Sequence, residues 1–110
     1  MKGLIIKQPW IDLILDGKKD WEIRGNNTSI RGKIYLIQSG SGLITGEVEL
    51  VDSLYLTLDE YKTSQNHHCI ENTFQFPYKK TYAWVLKNPI RYKEPIPYKH
   101  PMGAVIWVNL

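Results

Sequence analysis

The clearest helical stripe in this chain is only one element long, and that leaves most of the 110 residues to be built from strands. Trp10, Leu13 and Ile14 recur at i, i+3 and i+4, with Asp12 and Asp16 outside the stripe. Gln8-Pro9 precedes it, since proline suits the first helical turn and a polar side chain can cap it, and Gly17 follows where a left-handed residue is wanted. The spacing predicts a helix over about Pro9 to Asp16. Around it the pattern is that of β-structure. Gly3 to Lys7 reads as a short buried strand, and Lys19 to Arg24 alternates, with Trp21 and Ile23 facing one way and Asp20, Glu22 and Arg24 the other.

Asn26-Asn27 turns the chain into a strand over Gly32 to Gln38, carrying Ile34, Leu36 and Ile37. Ser39-Gly40-Ser41-Gly42 is a flexible turn, and a strand through Val48, Leu50 and Val51 follows it. Thr57 with Glu60 three residues later has the form of a capping box, so a second short helix is expected near Thr57 to Lys62. No element can be assigned over residues 61–76 beyond that start. Tyr82 to Leu86 and Ala104 to Val108 are β-rich, whereas Pro89, Pro95, Pro97 and Pro101 are expected to break the intervening segment into edge strand and loop. The expectation is an α+β, mainly β domain: a small β-barrel or curled sheet of five or six mostly antiparallel strands, with two or more short helices at its ends.

Length and composition set the remaining bounds. A chain of 110 residues with 43% hydrophobic side chains fits one domain, 1–110, able to form a core without metal or disulfide support. Cys69 has no partner for an internal disulfide, which favours a reducing cytoplasm. Gly3 to Ile6 is too short an apolar run for a signal peptide, and no stretch approaches the roughly 18 apolar residues of a membrane span.

Charge is unevenly spread. Residues 1–55 hold seven basic and seven acidic side chains, so the net charge of +3 arises in the second half. Lys79, Lys80, Lys87, Arg91, Lys93 and Lys99 stand against the single acid Glu94, interleaved with Tyr82, Trp84, Tyr92 and Tyr98. Lysine and arginine release counterions from phosphates and aromatic faces stack on bases, so this segment is a candidate electrostatic track for nucleic acid. Solvated strand faces carry scattered lysines as well.

The densest polar cluster is Gly17-Lys18-Lys19-Asp20-Trp21-Glu22-Ile23-Arg24, directly after Gln8-Pro9-Trp10. Here the chain resembles a known family. Gly17, Lys19, Glu22 and Arg24 satisfy the G-x-K-x-x-E-x-R pattern of the ASCH domain (activating signal cointegrator-1 homology), and Gln8-Pro9-Trp10 resembles the Q-P-W opening of the cointegrator's branch. Gly46-Glu47-Val48 with Leu50-Val51-Asp52 is similar to the family's central strand, and Ala83 to Pro89 to its late strand and turn. The resemblance implies a PUA-like β-barrel with a cleft between barrel and first helix, and a role in binding RNA or other nucleic acid.

The residues themselves allow a pocket. Trp10 or Trp84 can supply a stacking face, Lys19 and Arg24 can hold a phosphate or carbonyl oxygen, and Glu22 can accept from an exocyclic amine. Gln8 and Ser39 complete the candidate ligand-binding set, and the ligand class is RNA, single-stranded nucleic acid or a modified nucleoside. The competing reading of Glu22 and Arg24 is an i, i+2 ion pair on the solvent face of a strand. Trp21 is expected in the core, whereas Trp10 can face core or cleft.

Some ASCH relatives hydrolyse the acetyl amide on the exocyclic amine of cytidine with the motif lysine, a threonine three residues later and a distant glutamate. Lys19 matches the lysine, Glu22 replaces the threonine, and the distant glutamate is not assignable among Glu47, Glu49, Glu60 and Glu71. An amidohydrolase with Lys19 as nucleophile or base and Glu22 as proton partner is therefore the alternative function. On a regular strand the two would point to opposite faces, so it requires Lys19 to lie in the turn after Gly17. A protein-interaction adaptor, using an exposed apolar patch, is the second alternative. No His pair supports ribonuclease chemistry, and no cofactor is expected. Adjacent residues do not converge on one tetrahedral ion, so His67-His68-Cys69 reads as a polar loop and no metal site is assigned. Ser39 to Gly42 lacks both the P-loop lysine and the G-x-G-x-x-G spacing and reads first as a hairpin turn and second as a backbone-amide anion nest, placed where it can reach the cleft rim.

Overall fold

In a computed structural model that describes residues 1–71 and 76–110, the chain runs β1 (Lys2–Ile6), α1 (Trp10–Leu15), β2 (Trp21–Arg24), β3 (Gly32–Gln38), β4 (Leu43–Tyr55), α2 (Leu58–Thr63), α3 (Gln65–His68), β5 (Tyr82–Pro97) and β6 (Trp107–Asn109). The strands form one six-stranded sheet in the order β2-β5-β4-β3-β1-β6, curled into a half-barrel. β1 and β3 pair in parallel, and every other pairing is antiparallel. Fold class and strand number follow the sequence expectation. Among the described residues no helix is long and apolar enough to cross a membrane.

The main core lies inside the curl. Leu4 and Ile6 of β1, Ile34 and Leu36 of β3, Val48 and Leu50 of β4, and Trp84 and Leu86 of β5 meet Ile11, Ile14 and Leu15 of α1. The period-2 alternation of each strand puts these side chains on one face. The helical stripe is Ile11-Ile14-Leu15, not Trp10-Leu13-Ile14, because the helix begins at Trp10 and turns its middle toward the sheet; Trp10 and Leu13 are half-buried. Gly46 permits this contact, since a Cβ there would stand 2.5 Å from both Leu15 Cδ2 and the Ile90 carbonyl oxygen. Gln8 does not cap the helix. Its side-chain amide donates to Asp12 Oδ2 at 2.9 Å and to Gln38 Oε1 at 3.2 Å, and Pro9 stands at the cap position.

β5 departs most from expectation. It runs unbroken past Pro89 and Pro95 to Pro97, and the prolines are absorbed by register shifts. Asn88, with φ 53°, and Pro89 bulge between the pairs Glu49↔Lys87 and Glu47↔Ile90, while Pro95 lies between Gly46↔Arg91 and Ile44↔Ile96. A bulge removes the need for the amide that proline lacks. β2 covers only Tyr82 to Val85, so the proline-bearing half of β5 pairs with β4 alone. At the C-terminal end the predicted strand Ala104 to Val108 is shortened and shifted to Trp107–Asn109, which pairs with β1, and the Ile106 carbonyl just before it accepts from the Ile5 amide.

The capping box at Thr57 is complete: its hydroxyl accepts from the Glu60 amide and the Glu60 carboxylate accepts from the Thr57 amide. His67-His68-Cys69 is not a polar loop. It forms the end of α3 and its left-handed cap, Cys69 at φ 61°, with His68 fully buried. Residues 72–75, within the 61–76 segment left unassigned from sequence, lie outside the described residues.

Candidate functional site

Gly17, at φ 79°, ends α1, and the chain runs irregularly through Lys18 to Asp20 before β2 becomes regular at Trp21. Lys19 therefore escapes strand alternation. The Lys18 and Lys19 amides both donate to the Leu13 carbonyl, which folds the turn back onto the helix. The side chains of Lys19 and Glu22 consequently reach the same space, with Lys19 Nζ 3.8 Å from Glu22 Oε1.

That space is a cavity of about 770 Å³. Trp10, Lys19, Glu22, Arg24 and Ser39 line it together with Ile5, Lys7, Tyr61, Ile70 and Tyr78. The polar wall is tightly organised. Arg24 donates to Glu22 Oε2 from Nε at 3.1 Å and from Nη2 at 2.8 Å, and Nη2 also donates to the Ile5 carbonyl at 3.0 Å, linking β2 to β1. Lys19 Nζ donates to the His68 carbonyl at 2.6 Å. It also stands 5.0 Å from the centroid of the Trp10 ring, within cation–π range.

Burial decides how this cluster differs from a surface ion pair. Lys19 is 2% exposed and Glu22 6% exposed, so the solvent-face reading of the motif does not describe this strand. Loss of hydration lowers the Lys19 pKa from its ordinary value, and the neighbouring Glu22 charge opposes the shift. Glu22 Oε2 is occupied by Arg24. Oε1, beyond hydrogen-bond reach of Lys19, can accept from a ligand N–H.

Two sequence candidates stand apart from the cavity lining. Trp84 is 3% exposed, stacks on Trp107 at a centroid separation of 5.6 Å, and donates from its indole to the Asn26 carbonyl at 2.9 Å. It is a core residue with Arg24 over its ring at 5.5 Å, so it supports the guanidinium from beneath. Gln8 is bonded to Asp12 and Gln38.

The basic segment is also divided. Lys79 and Lys80 are exposed and directly follow Tyr78 of the cavity wall; Lys87, Lys93 and Lys99 are exposed as well. Arg91 is not a free cation. It donates to Asp12 Oδ1 at 3.0 Å and Asp16 Oδ1 at 2.7 Å, tying the far half of β5 to α1.

Sequence reasoning missed Tyr61, Ile70 and Tyr78. The i, i+3 pair Leu58 and Tyr61 behind a complete capping box marks an inner helix face and was the available signal for Tyr61. Nothing local marks Ile70 or Tyr78. Among the described residues no group of three or more His, Cys, Asp or Glu side chains is placed to hold a metal ion.

The family model described as the ASCH domain matches residues 4–96. A comparison of the sequence with curated proteins finds no match. Among solved structures the chain is similar to the ASCH protein of Zymomonas mobilis, with TM-score 0.76 and 12% identity over 99% of this chain and 86% of that one. A serine-to-alanine mutant of that protein gives TM-score 0.76 at 12% identity, covering 99% and 87%. A tyrosine-to-phenylalanine mutant gives 0.73 at 13%, covering 87% and 74%. At these identities the likeness is one of fold.

Proposed function

This chain belongs to the ASCH domain family, and we propose that it is a binding module for RNA, single-stranded nucleic acid or a modified nucleoside, with one base held in the cavity. The observation that carries the reading is the meeting of Trp10, Lys19, Glu22 and Arg24 on one cavity. Heteroaromatic bases present adjacent donors and acceptors on a flat apolar ring. Glu22 Oε1 accepts from an exocyclic amine, a free Lys19 N–H donates to a ring nitrogen or carbonyl beside it, and the aromatic walls take the faces of the ring. Lys79 and Lys80, next to Tyr78, serve the phosphates outside.

The test is a mass-spectrometric and calorimetric screen of the purified protein against modified nucleosides and short RNAs, repeated with Glu22→Gln. Binding that weakens at least tenfold in Glu22→Gln supports the reading. Failure to bind any member at low ionic strength overturns it, and partners retained from extract after nuclease treatment would favour a protein adaptor.

One observation favours a second reading, hydrolysis of an acetylated cytidine. Lys19 leaves the chain ahead of the regular strand and faces Glu22 across 3.8 Å, and burial of its side chain lowers its pKa and so increases the neutral amine fraction. A neutral Lys19 takes a proton from water as its oxygen adds to the acetyl carbonyl. The C–N bond then breaks as Lys19 passes that proton to the leaving exocyclic amine, giving cytidine and acetic acid, which ionises to acetate and releases its proton to solvent. Loss of the acetyl group with wild type but not with Lys19→Ala supports turnover; equal rates with both remove it and leave the binding proposal standing.

A further inference from the structure

Three residues of the cavity wall, Lys19, Tyr61 and Ile70, come from three separate segments, and all three are bonded to one residue behind the wall. That residue is His68, which is fully buried. Its carbonyl accepts from Lys19 Nζ at 2.6 Å. Its Nδ1 accepts from the Ile70 amide at 2.9 Å, which leaves the ring proton on Nε2, and Nε2 donates to the Tyr61 carbonyl at 2.7 Å. The ring also stacks on Tyr61, with centroids 4.7 Å apart and planes 24° from parallel.

The bond to Ile70 spans Cys69, whose φ of 61° is a left-handed conformation rarely held by a non-glycine residue. Closing that turn from the ring side fixes the direction of the His68 carbonyl, and the carbonyl fixes Lys19. We infer that His68 is the positioning residue of this cavity: as the neutral Nε2–H tautomer it locks Lys19, Tyr61 and Ile70 into one wall, and on protonation it releases them.

The protonated ring cannot keep the arrangement. Nδ1–H would point at the Ile70 N–H, donor against donor, and a charge would be buried beside Lys19. The titratable groups around the ring are Tyr61 from α2, Lys19 from the turn before β2 with Glu22 of β2 behind it, and His67 and Cys69 flanking it in sequence. Burial disfavours the imidazolium most, the Tyr61 carbonyl opposes that effect, and the Lys19 and His67 charges add to it. No nearby carboxylate among these contacts bonds the ring.

The inference rests on the reading of this cavity as the binding site only for its biological meaning, and its test contains no ligand. Nuclear magnetic resonance on the isotopically labelled full chain follows three signals across the His68 titration: the His68 ring, the short-range contacts from the Lys19 ε-protons to the Trp10 ring, and the amides of Leu36 and Leu50 in the core. The expected result is loss of the Lys19–Trp10 contacts in step with His68 protonation while the core amides persist. His68→Gln, whose amide can donate to Tyr61 and accept from Ile70, is expected to keep those contacts at every pH. Contacts that survive protonation of His68 in the wild type, or that vanish only together with the core amides, overturn the inference. Loss of the contacts in a folded His68→Gln protein at neutral pH does the same.

Discussion

Arg24 places two hydrogen bonds on a single oxygen of Glu22, Oε2, from Nε at 3.1 Å and Nη2 at 2.8 Å. The other oxygen is thereby turned toward Lys19 and the cavity. A guanidinium does this because its fork is rigid; a lysine ammonium at the same position would not hold the carboxylate plane.

Removing that clamp leaves a buried carboxylate with Lys19 as its main remaining counter-charge. Arg24→Ala is expected to lower stability by about 2–3 kcal/mol, near the lower end for a broken buried pair because Arg24 is partly exposed. Arg24→Lys should recover less than half of the loss. Urea denaturation of the two variants is the measurement, and equal stability of wild type and Arg24→Ala would remove the clamp from the account.

If the cavity binds a base as proposed, Trp10 and Trp84 separate binding from folding. Trp84 is sealed in the core against Trp107, and Trp84→Ala should cost roughly 3–5 kcal/mol, as large buried aromatic deletions do. Trp10 is half-buried and lines the cavity, so Trp10→Ala should weaken nucleoside binding at least tenfold while costing less stability. Thermal melts paired with calorimetric titration of each variant decide the assignment; the opposite ranking would exchange their roles.

What could be read in the sequence was what neighbours in sequence determine. Gly32 to Gln38, rich in β-branched and aromatic residues, is a strand with those bounds, although the consecutive buried Leu36 and Ile37 mark a register shift, and the Thr57–Glu60 box closes within one turn. The burial of Lys19 was not readable, because its carbonyl partner, His68, lies 49 residues away. The continuity of β5 was not readable either. Pro89 and Pro95 are tolerated only because β4 supplies the facing register shifts, a property of the pair and not of either strand. In the candidate site the motif residues Lys19, Glu22 and Arg24 were legible as a group, whereas Ile70 and Tyr78 enter through tertiary closure of a segment with no periodicity.

The basic segment predicts a specific pattern of salt dependence. Arg91 is already paired with Asp12 and Asp16, so Arg91→Ala should leave the salt slope of RNA binding nearly unchanged. Lys79→Ala combined with Lys80→Ala should reduce the slope by about 1.4, at roughly 0.7 per phosphate contact on a single strand. Binding isotherms for a short single-stranded RNA over a series of salt concentrations measure both. Equal slopes for the double lysine variant and wild type would remove these two lysines from the phosphate path.

Acid sensitivity follows from His68. Burial lowers its pKa in the folded protein below the ordinary 6.5, and the Lys19 and His67 charges add to the shift, while the Tyr61 carbonyl opposes it. A depressed folded pKa means that the unfolded chain binds the proton more readily. The unfolded state therefore gains protons first as pH falls, and the His68 contribution, full above about pH 6.5, declines through the window down to the folded pKa and is absent below it. For one group the slope is at most about 1.4 kcal/mol per pH unit. His68→Gln cannot titrate, so the difference in unfolding free energy between wild type and His68→Gln should shrink as pH is lowered from about 7.5 to about 5. Urea denaturation of both proteins at several pH values measures that difference directly, with other titrating groups cancelling between them. A difference that stays constant across the range would show that His68 is not held neutral by the fold.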